Sequence, residues 1–384
     1  MKWLGFFKTF STFSVISAVS VIILGASISV EADQIEYTFY HFKDNHSNTV
    51  ATTAFSLAKT IWSRTLILMD VELDQVTQPP TDAVSSASRP QRQSKSEIKK
   101  NRGQIIGGVE QGLGDNTKIN GSYYFSQEVD YSSQSFIAGI TQDIFQKNLT
   151  VSFKGQYTMD SVGEILNNGD ILNRFKETHQ ASLIISQIFT PTTIFRCGAD
   201  AMRNQGFLSD PYRKVVLTSA NVANVIDTIS ERHPSLRFRQ SAWAEVSQYL
   251  DGMDASFVLT YRYYWDDWGM NSHTGSLKFN KYITPDWILS PEYRYYIQNG
   301  ATFGSYGTNN PGAYDVTDYK LKPFASNNAG MGLTCYLRAF GKNHPTWDFL
   351  TNTSISLLYF HYFNDAEGSN FSANIYESRL KFSF

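Results

Sequence analysis

Between residues 148 and 160 the chain alternates in twos. Leu149, Val151, Phe153, Tyr157 and Met159 share one parity, while Thr150, Ser152, Lys154, Gln156 and Thr158 share the other. A strand sends successive side chains to opposite faces, so this is a strand with one apolar and one polar face. Residues 254–266 repeat the pattern, with Ala255, Phe257, Leu259, Tyr261, Tyr263 and Trp265 on the apolar parity. The last stretch does so again, setting Tyr376, Leu380, Phe382 and Phe384 against Glu377, Arg379 and Lys381. The same period predicts sixteen strands, over 34–43, 48–60, 64–76, 103–113, 117–130, 132–145, 148–160, 174–190, 192–204, 236–250, 254–266, 273–284, 287–299, 327–341, 348–363 and 369–384. Pro291 falls inside the thirteenth. It has no N–H for a ladder, so a bulge or local distortion is expected there.

The connections alternate as well. If the first hairpin is counted as external, the long segments 77–102, 205–235 and 300–326 all fall at odd places. The tight turns Gly114-Asp115-Asn116, Gln146-Lys147-Asn148, Thr190-Pro191-Thr192, Asp251-Gly252 and Thr284-Pro285-Asp286 all fall at even ones. Short turns on one side and longer loops on the other are the pattern of an outer-membrane barrel, and a soluble sandwich has no reason to obey it. The predicted fold is therefore all-β: a transmembrane antiparallel up-and-down β-barrel of about sixteen strands over residues 33–384, with both termini periplasmic. Closure requires the last strand to pair with the first. Such a ring is wide enough for an aqueous lumen unless loops fill it.

The N-terminus fits export. Lys2 and Lys8 precede an apolar, serine-containing run over 13–26, and Val30-Glu31-Ala32 offers small residues at the two cleavage positions. The expectation is a signal peptide over 1–32, cut after Ala32, with no nearby Cys for a lipid anchor. No later run approaches the roughly 18 apolar residues of a membrane helix, which excludes a helical inner-membrane protein. The closing strand, apolar at alternate positions and ending on Phe384, resembles the last strand of bacterial outer-membrane barrels. That resemblance implies the barrel-assembly machinery as one partner. The bacterial outer membrane, with its lipid and lipopolysaccharide, is the other expected surrounding.

Composition adds support. Aromatics are 15% of residues and hydrophobics only 42%, which suits aromatic girdles around a polar interior. The net charge is −2, so bulk electrostatics gives no case for nucleic acid. The two cysteines, Cys197 and Cys335, fall on the apolar parity of strands that are not neighbours, and two free thiols are expected.

The polar parity carries the candidate chemistry. Lys154, Arg196, Asp200, Arg237, Arg239, Glu245, Arg262, Glu292, Arg294, Arg338, Arg379 and Lys381 are the candidate lumen residues. They suit either a water-filled pore with a charged constriction or a lumen closed by cross-strand ion pairs. The basic run over 82–102 could fold into the mouth, bind anionic lipopolysaccharide, or stay solvated. Asp266, Asp267 and Trp268, with His273 across the hairpin, form a candidate external rim. Paired acids and a His could activate water or hold a divalent ion, or the tryptophans could be interface girdle and the acids rim solvation. No Gly-x-Ser-x-Gly, His-Glu-x-x-His or Cys-x-x-Cys occurs, and the seven His lack ligand spacing. No enzyme activity, metal or cofactor is therefore expected.

Several stretches resemble an uncharacterised, domain-of-unknown-function family of bacterial outer-membrane barrels. They are Asp82-Ala83-Val84-Ser85-Ser86-Ala87-Ser88, Pro234-Ser235-Leu236-Arg237-Phe238-Arg239 and Tyr261-Arg262-Tyr263-Tyr264-Trp265-Asp266-Asp267-Trp268-Gly269 leading to Ser272-His273-Thr274. Pro291-Glu292-Tyr293-Arg294-Tyr295-Tyr296-Ile297-Gln298 and Tyr319-Lys320-Leu321-Lys322 continue it, the last with Lys320 where the family pattern has Arg. The resemblance implies the barrel and assigns no ligand. It also implies genes for flavin transferases and thioredoxin-like proteins nearby. The expected function is a channel or passive transporter for small polar solutes. The alternatives are a plugged scaffold of an export or surface-assembly complex, or a membrane-embedded hydrolase.

Overall fold

The computed structural model describes residues 33–78, 98–165, 171–211, 214–218, 225–303, 314, 316, 318–339, 350–364 and 371–384. The expected signal peptide and the segment 79–97 lie outside them. The strands are β1 Gln34–Asp44, β2 Thr49–Trp62, β3 Thr65–Gln78, β4 Ile98–Gly112, β5 Thr117–Gln127, β6 Tyr131–Ile144, β7 Leu149–Ile165, β8 Ile171–Thr190 and β9 Thr193–Gly206. They continue as β10 Lys214–Thr218, β11 Val225–Ser230, β12 Leu236–Leu250, β13 Ala255–Asp266, β14 Asn271–Thr284, β15 Trp287–Gln298, β16 Phe324–Tyr336, β17 Thr353–Asn364 and β18 Phe371–Ser383. Sixteen of them close one antiparallel barrel in chain order, and β10 and β11 form a separate hairpin in the β9–β12 connection. The seam is regular: β1 pairs with β18 from Gln34 opposite Ser383 to Asp44 opposite Ala373.

The alternation of the sequence becomes an inside-out distribution of polarity. Phe153, Leu259 and Leu357 are each more than half exposed on the outer wall. Thr52, Asp74, Arg102, Ser126, Ser135, Thr158, Asp160 and Ser241 are buried on the inner one. A water-soluble domain shows the reverse. Here a closed ladder pairs the wall backbone from strand to strand, so the outer face is free to be apolar and match lipid.

Aromatic belts mark both ends of that outer face. Trp62, Phe145, Phe189, Trp287 and Phe384 are exposed toward the short turns. Toward the long connections, four histidines lie tilted against outward aromatic neighbours: His41 against Tyr376, His179 against Tyr157, His273 against Tyr263 and His361 against Phe363. Rings with one polar edge suit a membrane–water boundary. Cys197 and Cys335 are both free, on β9 and β16.

Several boundaries differ from expectation. β4 starts at Ile98, so Lys99, Lys100 and Arg102 belong to the wall and not to the basic loop. Charge made this stretch look like loop, yet Arg102 is neutralised on the wall by Asp74 at 2.5 Å and Glu72 at 3.4 Å. β16 stops at Tyr336. Arg338, expected in the lumen, lies past the strand end and stacks on the Tyr336 ring at 4.5 Å. Pro291 causes no shift in register. The β14–β15 ladder lapses over two pairs and resumes unchanged, with Asn280 accepting from the Ser290 hydroxyl across the gap at 2.9 Å.

Candidate functional site

The inner wall and its mouth carry the polar chemistry. At the long-connection end, segments from three connections fold together over the β9–β16 sector. Trp268, Met270, Val316 and Leu321 form a buried apolar cluster, with Leu208, Tyr264, Ala301 and Phe303 packed against it. Phe303 meets Trp268 edge-on at 4.8 Å, and His233 meets it edge-on at 5.4 Å. This roof is fastened to the wall by hydrogen bonds. The Gln298 side-chain amide donates to the carbonyls of Lys320 and Lys322, both at 2.7 Å. The Glu231 carboxylate accepts from the Asp318 amide at 2.9 Å, and the Trp268 indole donates to the Leu236 carbonyl at 2.9 Å.

Beneath the roof, Asp266 is a hub. Its Oδ2 accepts from Arg237 Nη2 at 2.5 Å and from the Tyr264 hydroxyl at 2.6 Å. Its Oδ1 accepts from the amides of Trp268 and Met270, both at 3.0 Å, and so shapes the hairpin. Arg237 also lies 4.2 Å over the Trp268 ring. A buried carboxylate needs a paired cation and filled acceptor sites, and this one has both.

Lower down, the charges sort by wall. Inward residues of β12, β13 and β15 include Arg239, Arg262 and Arg294, placed three to four residues in from the long-connection ends of their strands. β13 stands eight strands from β3 in either direction around the ring, hence directly across. The inward parity of β3 carries Asp70, Glu72 and Asp74, met on β4 by Arg102. One wall therefore holds an excess of cations and the facing wall an excess of carboxylates.

Several of the remaining inward charges are paired locally. Arg196 bonds Glu245. Asp200 accepts from Ser182 at 2.6 Å and Ser241 at 3.0 Å. Lys176 meets Asp160 at 2.9 Å. Arg379 bridges Glu36 at 3.2 Å and Glu377 at 2.5 Å. Glu292 is in register with Lys278. Lys154 and Lys381 are on the same inward parity. Above β5, Glu128 is buried in the β5–β6 turn, and that burial pushes its carboxyl up to about 7.

Residues 17–175 and 164–344 match the model of a protein family of unknown function, DUF3570. The chain belongs to this family. No curated protein matches its sequence. In fold, this DUF3570 member is similar to a bacterial polysaccharide outer membrane secretin, at 8% identity and a TM-score of 0.50, covering 92% of this chain and 98% of that one. It also matches the siderophore receptor PirA from Acinetobacter baumannii, at 11% identity and a TM-score of 0.46, over 87% of this chain and 53% of the receptor. The chain thus spans about half the length of that receptor. A loop-deletion variant of OmpT, an outer membrane protein of Vibrio cholerae, matches at 10% identity and a TM-score of 0.42. The DUF3570 chain has an outer-membrane β-barrel fold.

The expected rim group does not assemble. Asp266 faces inward under the roof, while Asp267 is exposed and caps the Phe238 amide at 2.9 Å. His273 sits on the outer wall, its Nδ1 2.7 Å from the Tyr261 hydroxyl. The barrel wall separates Asp266 from His273, and Trp268 is roof core instead of rim. Of the assembly strand, Tyr376 and Phe384 are exposed on the outer face. Of the roof anchors, Gln298 and Leu321 stand in the sequence only within family-like stretches with no role attached, and Glu231 and His233 have no local signal at all.

Proposed function

We propose that this protein is a passive channel for small polar solutes in the bacterial outer membrane, with both termini periplasmic and the roofed mouth outside. The observation that carries this reading is the polarised inner wall, with Arg239, Arg262 and Arg294 facing Asp70, Glu72 and Asp74 across a sixteen-strand ring. Rings of this size leave room for water, and opposed charges inside a lumen bias which solutes pass. A scaffold needs no such separation of signs. Planar-bilayer recording of the purified protein tests it. Step-like currents are expected, and silence at all voltages and salts defeats it.

A second reading is favoured by the Trp268–Leu321 cluster. An apolar roof over the β9–β16 sector of the mouth suits a stoppered barrel that serves an assembly at the cell surface. On this reading the intact protein is silent, and loosening the roof opens it.

A further inference from the structure

We propose that Arg239, Arg262 and Arg294 form a binding site for small solutes bearing two or more anionic oxygens, on the lumen wall beneath the roof. The inference rests on the channel reading for its physiological use, though not for its chemistry. The three side chains lie on one inward patch of the four adjacent strands β12 to β15. Arg294 is opposite Ser276, which is opposite Thr260, so Arg262 is the next inward residue along β13. Arg262 leans toward β12 and donates to the Ser241 hydroxyl at 3.0 Å, two residues from Arg239.

Among the described residues, none of these three guanidinium groups has a carboxylate within ion-pair distance. Four of the nearby acids are engaged elsewhere. Asp266 is held by Arg237, Glu245 by Arg196, and Asp200 by two serine hydroxyls. Asp267 is turned outward onto the Phe238 amide, and Glu292, two residues from Arg294 on the same strand face, makes no ion pair with it. The Nε–H groups of Arg239 and Arg262 are shielded from solvent with no acceptor.

A cluster of unpaired cations is costly, and an uncapped buried donor adds to the cost. An incoming oxyanion removes both penalties at once. Arginine suits the task because its planar fork takes carboxylate or phosphate oxygens in pairs. Ser241 adds a hydroxyl, and the acids of β3 on the far wall repel such a solute toward the arginines. Monovalent cations gain nothing here.

The test uses the full detergent-solubilised barrel, with pyrophosphate as the probe. Calorimetry is expected to show saturable binding that weakens about tenfold or more in the Arg239→Gln, Arg262→Gln, Arg294→Gln triple variant. In bilayers under a KCl gradient, the reversal potential is expected to show anion preference, and R262E with R294E to reverse it. If the triple variant does not fold, R239Q and R294Q singly remain usable, since neither side chain makes a hydrogen bond or ion pair among the described residues. Binding unchanged by these substitutions, no binding at all, or current without anion preference overturns the site. Arginine-dependent binding without any current leaves the site standing and defeats the channel.

Discussion

Arg237 and Asp266 meet beneath the roof, Nη2 to Oδ2 at 2.5 Å, where β12 begins and β13 ends. This pair joins the wall to the Trp268 hairpin, because the same carboxylate caps the Trp268 and Met270 amides. Removing one partner of a buried pair costs about 3–5 kcal/mol. Arg237→Met is therefore expected to lower the unfolding midpoint and to release the Trp268 and Met270 amides to hydrogen exchange. Protection equal to that of the unaltered protein would show that the pair does not hold the roof.

Trp268 is 4% exposed and is touched by the Arg237, His233 and Phe303 side chains. Trp268→Ala deletes the centre of the cluster, a change of about 3–5 kcal/mol in a packed core. Single-channel conductance should rise severalfold as the roof loosens. Equal conductance in both proteins would mean that ions do not pass under this sector.

Glu128 gives a pH dependence of defined sign. Burial raises its carboxyl from the ordinary 4.5 to about 7, opposed by Arg102 and Lys100 and aided by Asp130 and Asp74. The folded state thus favours the protonated form. Its contribution is complete below about 4.5 and is lost as the pH rises through about 7, on the order of 3 kcal/mol. Glu128→Gln should flatten the fall in stability between pH 5 and pH 8, read from unfolding midpoints. A slope unchanged by the substitution would assign it to another group.

Gly330 lies on β16 where an added Cβ would collide with the Phe360 ring and the Tyr359 carbonyl. The carbonyl is backbone and cannot swing aside. Gly330→Val should cost roughly 1–3 kcal/mol or more by overpacking. The readout is the fraction of heat-modifiable, folded barrel on a gel. At Gly275, where the same Cβ meets open space, alanine should be neutral.

Topology in the membrane has a direct check. A protease site placed within 205–235 should be cut on intact cells, whereas one between Asp251 and Gly252 should be cut only after the outer membrane is breached. The opposite result would invert the barrel.

Alternation by itself determined the wall. Side-chain parity has a period of two whatever surrounds it, so the strands, their faces and the closing pair β1–β18 could be read from 148–160, 254–266 and 369–384. The rhythm of Asp-Gly and Thr-Pro turns fixed which ends carry the long connections, because such turns depend only on local backbone chemistry. Other features depended on residues far apart in the chain. Arg102 reads as loop until Asp74, 28 positions earlier, is placed opposite it. Trp268 reads as girdle until Val316 and Leu321 cover it. Asp266 and His273, seven positions apart, look like partners and face opposite sides of the wall. The arginines without an ion pair emerge only once Asp266, Glu245 and Asp200 are seen to be held by other side chains. Pairing and burial are settled by distances between remote segments, and only the closed barrel sets those distances.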